Sequence, residues 1–285
     1  MNLPAIIVHG GAGKWDDERI PIGMEYVEKA ARVGFSVLKH GGSALDAAEV
    51  CTTFMESCGQ LNAGIGARLN KNGERELDAM IMDGHSLEFG SVAAVIGIQN
   101  PTSLARYIME KTEYSFFSGD NALKLYRQMI EEGYRLETDD RVTYENESSE
   151  ASDTVGCVVI DSRKHIATTS STGGIRDKLP GRIGDSPVIG SGAYANEICG
   201  VTATGWGEHI MRVTLSRLIA FFIESGDEVQ KATEKGMRIF QEKTGSEAGV
   251  IGLDREGNFG KTTNAKAMPT TVIQGNIDNI RVYEK

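Results

Sequence analysis

A threonine stands at the head of a buried-strand pattern: Asp153-Thr154-Val155-Gly156 runs into the apolar stretch Cys157-Val158-Val159-Ile160. Inside a chain a threonine hydroxyl has no base of its own. At a new N-terminus its α-amine, with a pKa of about 7.7–8.0, can take the proton, so a cut between Asp153 and Thr154 would turn Thr154 into a nucleophile. Three clusters rich in Gly and Thr come next: Ser171-Thr172-Gly173-Gly174, Gly181 to Pro187, and Ala203 to Glu208. Loops of this composition bring backbone N–H groups close to a ligand. A reaction through a tetrahedral oxyanion needs such donors, and Thr204 with the Gly205 backbone is a candidate hole. Arg182 and Asp185, in a glycine-flanked turn, could hold the α-carboxylate and α-ammonium of an amino acid, Arg182 by a two-pronged contact. Taken alone, the same pair is a surface ion pair of small energy.

The elements that must position these groups are read from periodicity. Ala5 to Val8 is a buried strand ending in the turn His9-Gly10-Gly11-Ala12-Gly13. Met24, Val27, Ala31, Phe35 and Leu38 mark a helix stopped by Gly41-Gly42, and Ser43 caps a second helix carrying Ala47, Cys51, Phe54 and Met55. Leu69 to Ala79 reads as a hairpin around Asn72-Gly73, with a strand at Val92 to Ile98. Helical spacing returns from Pro101 and again at Leu123 to Met129. Thr138 to Asp153 is polar and acidic and reads as an exposed, mobile linker, though composition alone favours a solvated surface loop. Strands are expected at Val155 to Ile160, His165 to Thr169 and Val188-Ile189. Then come one helix through Met211, Leu215 and Phe222, a second through Val229 to Phe240, a hairpin turning at Glu256-Gly257, and a strand at Thr270 to Ile273. Each half reads as strands, helices and more strands, without an internal repeat, so sheets covered by helices are the expected layering.

Composition narrows the class. A chain of 285 residues with 40% hydrophobic content can bury a large core and form one big domain or two modest ones, and a single domain over 1–285 is expected. Its net charge is −10, but residues 131–153 hold nine acids against two arginines, so the acidity is mostly local. No basic stripe or aromatic platform suits nucleic acid. No window approaches a membrane span, no secretory signal precedes the first strand, and the cysteines Cys51, Cys58, Cys157 and Cys199 lack metal spacing. Buried thiols and a cytoplasmic location are expected. Asn146-Glu147-Ser148, a glycosylation sequon in form, is then a coincidence. His9, His40, His85, His165 and His209 also lack ligand spacing, so satisfied or exposed histidines are expected and no catalytic metal.

Taken in order, these segments resemble the plant-type asparaginase/isoaspartyl peptidase family of N-terminal nucleophile hydrolases, which includes glycosylasparaginase and threonine aspartase. The likeness is carried by His9-Gly-Gly-Ala-Gly13, Asn62-Ala-Gly-Ile-Gly66, Asp78-Ala-Met-Ile-Met-Asp-Gly84, Asn100-Pro101, Asp153 to Gly156, Ser171 to Gly174, Gly181 to Pro187 and Thr204 to Glu208. The resemblance implies an α+β fold, a four-layer αββα sandwich, made as a zymogen that cuts itself before Thr154. Fragments 1–153 and 154–285 stay together and pair as a dimer of heterodimers. By the same resemblance Thr154 is the nucleophile, Thr172 supports it, Arg182 and Asp185 grip the substrate, Thr204 and Gly205 form the oxyanion hole, Gly207 lines the pocket and Asn62 reaches the reacting centre. The implied reaction is hydrolysis of the side-chain amide of L-asparagine, or of a β-aspartyl peptide, through a threonyl ester. No cofactor is required; the family often holds a structural sodium ion on a loop that here would span about Met55 to Leu61.

Asparaginase-branch members commonly carry Gly before the nucleophile, whereas Asp153 is shared with glycosylasparaginase and threonine aspartase. A missing secretory signal speaks against the first of these, and the short chain and linker against the second. Trp206 stands where small or polar residues are frequent; it narrows the pocket mouth or merely packs there. Two readings of another class remain: a non-catalytic homologue that is never cut, and a nucleotide-binding protein. Val188 to Ala195 imitates a strand followed by GxGxxA, with Glu208 downstream, but Gly200 to Gly207 offers no second parallel strand.

Overall fold

The computed structural model describes residues 3–134 and 154–285. The acidic stretch assigned to a linker, and with it Asp153, lies outside the described residues. The first part holds β1 (Ala5–His9), α1 (Ile20–Lys39), α2 (Ala44–Ser57), β2 (Glu76–Asp83), β3 (Phe89–Ile96), α3 (Pro101–Lys111), β4 (Phe116–Ser118) and α4 (Gly119–Glu131). The second holds β5 (Val155–Ile160), β6 (Ile166–Thr172), β7 (Ala193–Ala195), β8 (Cys199–Gly205), α5 (Gly207–Val213), α6 (Leu215–Glu224), α7 (Val229–Thr244), β9 (Ala248–Asp254), β10 (Phe259–Thr263), β11 (Thr270–Gln274) and β12 (Asn276–Tyr283).

The strands form two sheets, one of eight strands in the order β12-β11-β1-β5-β6-β2-β3-β4 and one of four in the order β10-β9-β8-β7. In the larger sheet β5 lies between β1 and β6, antiparallel to both, and all six of its residues are buried. Such a strand reads as a continuous apolar run because neither face meets water. One face of this sheet packs on α1 and α2 through Val8, Val155, Cys157, Val159, Val27, Phe35 and Met55. Met80, Val158, Ile160 and Ile166 join Ile251 and Leu253 of the smaller sheet in a second core. A third core joins Val201, Ala203 and Val250 to Ile219, Ala232 and Phe240 on the later helices. The fold is therefore α+β, with helices on two sheets that share a core.

Capping agrees with expectation: the Ser43 hydroxyl accepts the Asp46 N–H, and the Asp46 side chain accepts the Ser43 N–H, a reciprocal box that starts α2. Several elements depart from it. Leu69 meets Arg75 in a single bridge, and β2 runs on to Asp83 to pair with β3 and β6, so the hairpin lies further along. Val188-Ile189 forms no strand beyond one bridge to Ala193. The helix through Met211 to Phe222 is two helices, broken at Thr214, whose φ is 47°. Cys199 to Gly205 is a strand after all, antiparallel to both neighbours, and the glycines before β7 open no helix, which removes the dinucleotide reading. The four cysteines are free thiols, all buried except the half-buried Cys58. Among the described residues, no helix is long and apolar enough to cross a membrane.

Candidate active site

The central strands of the large sheet place the first groups. Val155 pairs with Ser171 and Asp78 with Thr172, so Thr154, one residue before β5, lies alongside the end of β6, where Thr172 closes the strand. Thr154 is buried, and its Oγ1 is 3.2 Å from Ser186 Oγ. The Thr172 hydroxyl accepts the Gly174 N–H at 2.9 Å, holding the turn after β6. Asn62 spans the same turn: its Nδ2 donates to the Gly174 carbonyl at 2.8 Å and its own carbonyl accepts the Gly173 N–H at 3.2 Å. A methyl group at Gly173 would sit 2.8 Å from Asn62 Oδ1, so glycine is required for this close approach.

The next turn supplies charge. Arg182 donates from Nε and Nη2 to the two carboxylate oxygens of Glu208, at 2.8 and 2.7 Å. That occupies one of the two forked edges of the guanidinium and leaves the edge ending at Nη1 for a ligand. A methyl group at Gly174 would lie 3.3 Å from Nη1, and one at Gly184 would lie 3.0 Å from it, so glycines border that edge. Burial works against the Arg182 charge, but the Glu208 hydrogen bonds and the charges of Glu208, Asp185 and Asp78 raise its pKa overall. The bonds from Arg182 hold Glu208 below the ordinary carboxylate range. Asp185 is buried, and its carbonyl accepts the N–H groups of Val188 and Gly192. At Gly207 a methyl group would sit 2.8 Å from Asp185 Oδ1 and 3.1 Å from Arg182 Nη2, which brings Gly207 against both charged groups.

Strand β8 delivers the remaining donors. Thr204 is fully buried, and its Oγ1 accepts the Ala12 N–H at 3.2 Å, tying β8 to the turn after β1 and keeping its own proton available. Gly205 ends the strand at φ 143°, a backbone geometry other residues avoid. Trp206 caps α5 and is 48% exposed, its ring 6.1 Å from that of His209. The indole is therefore exposed and is not packed into the core.

Three neighbours escaped the sequence reading. Ser186 lay inside the Gly181 to Pro187 cluster, and Glu208 closed the Thr204 cluster, so both were visible as motif members but not as partners. His9 was expected to be hydrogen-bonded or exposed. It is wholly buried, with neither ring nitrogen in a regular side-chain hydrogen bond; burial drives its pKa down to about 3, with the Thr154 backbone beside it pulling the other way. The imidazole is thus neutral. Among the described residues, no three His, Cys, Asp or Glu side chains gather as metal ligands. A methyl group at Gly64 would meet the Glu56 and Gln99 carbonyls at 2.3 and 2.8 Å, and one at Gly66 the Leu61 carbonyl at 2.3 Å, so the backbone packs closely on both glycines after α2.

The Thr154 hydroxyl thus lies beside Ser186, the neighbour of Asp185, and Gly207, two residues after Gly205, lies against both Asp185 and Arg182. The asparaginase family model matches residues 2–143 and 131–281. The chain belongs to this family. It is similar to the isoaspartyl peptidase/L-asparaginase of Danio rerio, 39% identical over 272 residues, which cover 90% of this chain and 88% of that protein. The Homo sapiens protein of the same name is 36% identical over 93% of this chain and 92% of its own. The plant-type L-asparaginase of Pyrococcus horikoshii is 38% identical, with 93% and 95% covered.

Proposed function

We propose that this chain is an amidohydrolase that cleaves the side-chain amide of L-asparagine, giving L-aspartate and ammonia, and that hydrolyses β-aspartyl peptides. The observation that carries the reading is the placement of the Thr154 hydroxyl 3.2 Å from Ser186, the residue next to Asp185, with Arg182 and Asp185 both against Gly207. The names of the relatives supply the substrates.

The chain cuts itself between Asp153 and Thr154, which frees the Thr154 α-amine. Arg182 takes the substrate α-carboxylate on its remaining edge and Asp185 takes the α-ammonium. The Thr154 amine, directly or through water, accepts the hydroxyl proton as Oγ1 attacks the amide carbonyl; Thr204 and the Gly205 N–H receive the oxyanion. Ammonia or a peptide leaves with a proton, and water then cleaves the aspartyl ester to regenerate Thr154. Thr172 and Asn62 keep the turn beside the nucleophile in place. The neutral His9 next to Thr154 adds no charge that would hold the proton.

The same reading includes a four-layer αββα sandwich, fragments 1–153 and 154–285 held in one domain, and a dimer of such pairs. A sodium ion, expected on about Met55 to Leu61, would be held by the loop that follows α2 at Ser57 and would be structural, taking no part in the bond changes. The free thiols support a cytoplasmic location. The test is intact mass after incubation, then turnover. Two fragments meeting at Asp153 and Thr154, with ammonia release from L-asparagine and hydrolysis of a β-aspartyl dipeptide, are expected. A Thr154→Ala chain should stay whole and inactive; turnover by that variant would overturn the assignment.

A further inference from the structure

Strand β2 carries two buried acids that the reaction leaves unused, Glu76 and Asp78. Asp78 opens the run Asp78-Ala-Met-Ile-Met-Asp-Gly84, a signature without a chemical role so far. Both acids reach across to the turn that carries Arg182. Glu76 Oε1 accepts the Gly181 N–H at 2.8 Å, and Asp78 Oδ2 accepts the Gly184 N–H at 3.4 Å. These N–H groups lie one residue before Arg182 and two after it, so the turn is fastened at both ends to a single strand.

The rest of the neighbourhood holds the acids themselves. The Lys178 side chain is wholly buried; its ammonium donates to the Glu76 carbonyl at 2.9 Å and lies 3.5 Å from Glu76 Oε2. Asp78 Oδ1 accepts the Ala94 N–H at 2.8 Å where the register of β2 and β3 shifts, with Ala94 at φ 52°. A backbone conformation of that kind persists only where its surroundings hold it. Removing two carboxylates from water is costly unless they are compensated; Glu76 is paired with Lys178 and accepts the Gly181 N–H, and Asp78 accepts the Ala94 and Gly184 N–H groups. Glu208 holds the Arg182 guanidinium while the two acids hold the backbone that carries it, and small errors of placement at a site are expensive.

We propose that Glu76 and Asp78 are positioning residues for Arg182, setting the affinity for the substrate α-carboxylate and leaving the nucleophile's chemistry alone. This rests on the assignment of Arg182 to that carboxylate. Asp78→Asn and Glu76→Gln, in the full-length chain, separate the roles through KM and kcat for L-asparagine and the rate of self-cutting, a step that involves no amino-acid α-group. In Asp78→Asn one of two accepting oxygens becomes a donor, and KM should rise about tenfold, a loss of one decade of affinity, with kcat and self-cutting near wild type. Glu76→Gln keeps an acceptor and should shift KM less, in the same direction. An unchanged KM in whichever variants fold overturns the proposal, as does a fall in self-cutting and kcat that matches the rise in KM, the mark of a loosened sheet. Arg182→Ala is measured alongside. If its KM is unchanged, the α-carboxylate assignment fails; if its KM rises while Asp78→Asn and Glu76→Gln stay at wild type, only the positioning role fails.

Discussion

Ser186 faces Thr154 inside the protein, their hydroxyl oxygens 3.2 Å apart and both residues buried. Thr172, the neighbour across the sheet, instead gives its oxygen to the Gly174 N–H. The Thr154 hydroxyl is therefore contacted from the loop that carries Asp185, so on the proposed mechanism substrate grip and nucleophile orientation would share one segment.

Ser186→Ala should lower kcat for L-asparagine about five- to tenfold, the worth of one hydrogen bond, with KM nearly unchanged. Steady-state kinetics on the cut enzyme check this. A rise in KM with kcat intact would place Ser186 with the α-group contacts instead.

Gly207→Ala should fold and bind poorly. The added methyl group meets Asp185 Oδ1 at 2.8 Å, the Asp185 nitrogen at 2.9 Å and Arg182 Nη2 at 3.1 Å. Overpacking costs about 1–3 kcal/mol of stability, so the melting temperature should fall by a few degrees, and displacement of Asp185 or Arg182 should raise KM by roughly one order of magnitude. Wild-type KM would show that the α-groups do not sit against Gly207.

Glu56 gives a pH signature in stability. It is fully buried on α2, and its Oε1 accepts from Ser171 Oγ at 2.7 Å, Thr102 Oγ1 at 2.5 Å and the Thr102 N–H at 3.2 Å, while Asn100 Nδ2 lies 3.3 Å from Oε2. Burial raises its pKa from 4.5 to about 7, these hydrogen bonds opposing the shift in part. The folded state thus keeps a proton that the unfolded chain releases. The contribution is complete below pH 4.5 and is lost as pH rises to about 7. Glu56→Gln has no such loss. Its stability relative to wild type should increase between those values, by on the order of 3 kcal/mol, and level off above them. Denaturant unfolding at several pH values checks this; parallel curves would mean that Glu56 ionises normally.

Much of the site was legible because the chemistry is concentrated in short Gly- and Thr-rich runs whose order along the chain is distinctive. What escaped was long-range pairing. Glu208 and Arg182 are 26 positions apart, and nothing in either cluster announces that one carboxylate takes one edge of the guanidinium. Strand β8 was missed for a packing reason. Its residues are small because the two sheets approach closely there: a methyl group at Gly200 would lie 2.5 Å from Val158 Cγ1 and 3.0 Å from Ile166 Cγ2. The bulky residues that usually mark a strand are therefore largely excluded from β8. The break between α5 and α6 was hidden for the opposite reason, since Thr214 adopts a positive φ without being glycine.

Under the proposed cut before Thr154, the strand order of the large sheet would govern how the two pieces behave. Strand β1 is inserted between β11 and β5, while β2 continues the sheet beyond β6, so segments from either side of the cut alternate across it. Neither piece holds a contiguous block of the large sheet, whereas the smaller sheet lies wholly within 154–285. Parting them means stripping β1 from two partners at once, and dilution alone would do that very slowly. Once melted, however, the pieces no longer share a tether. Recovery of activity after heating would then depend on protein concentration, whereas an uncut Thr154→Ala chain would regain its fold at a rate indifferent to it.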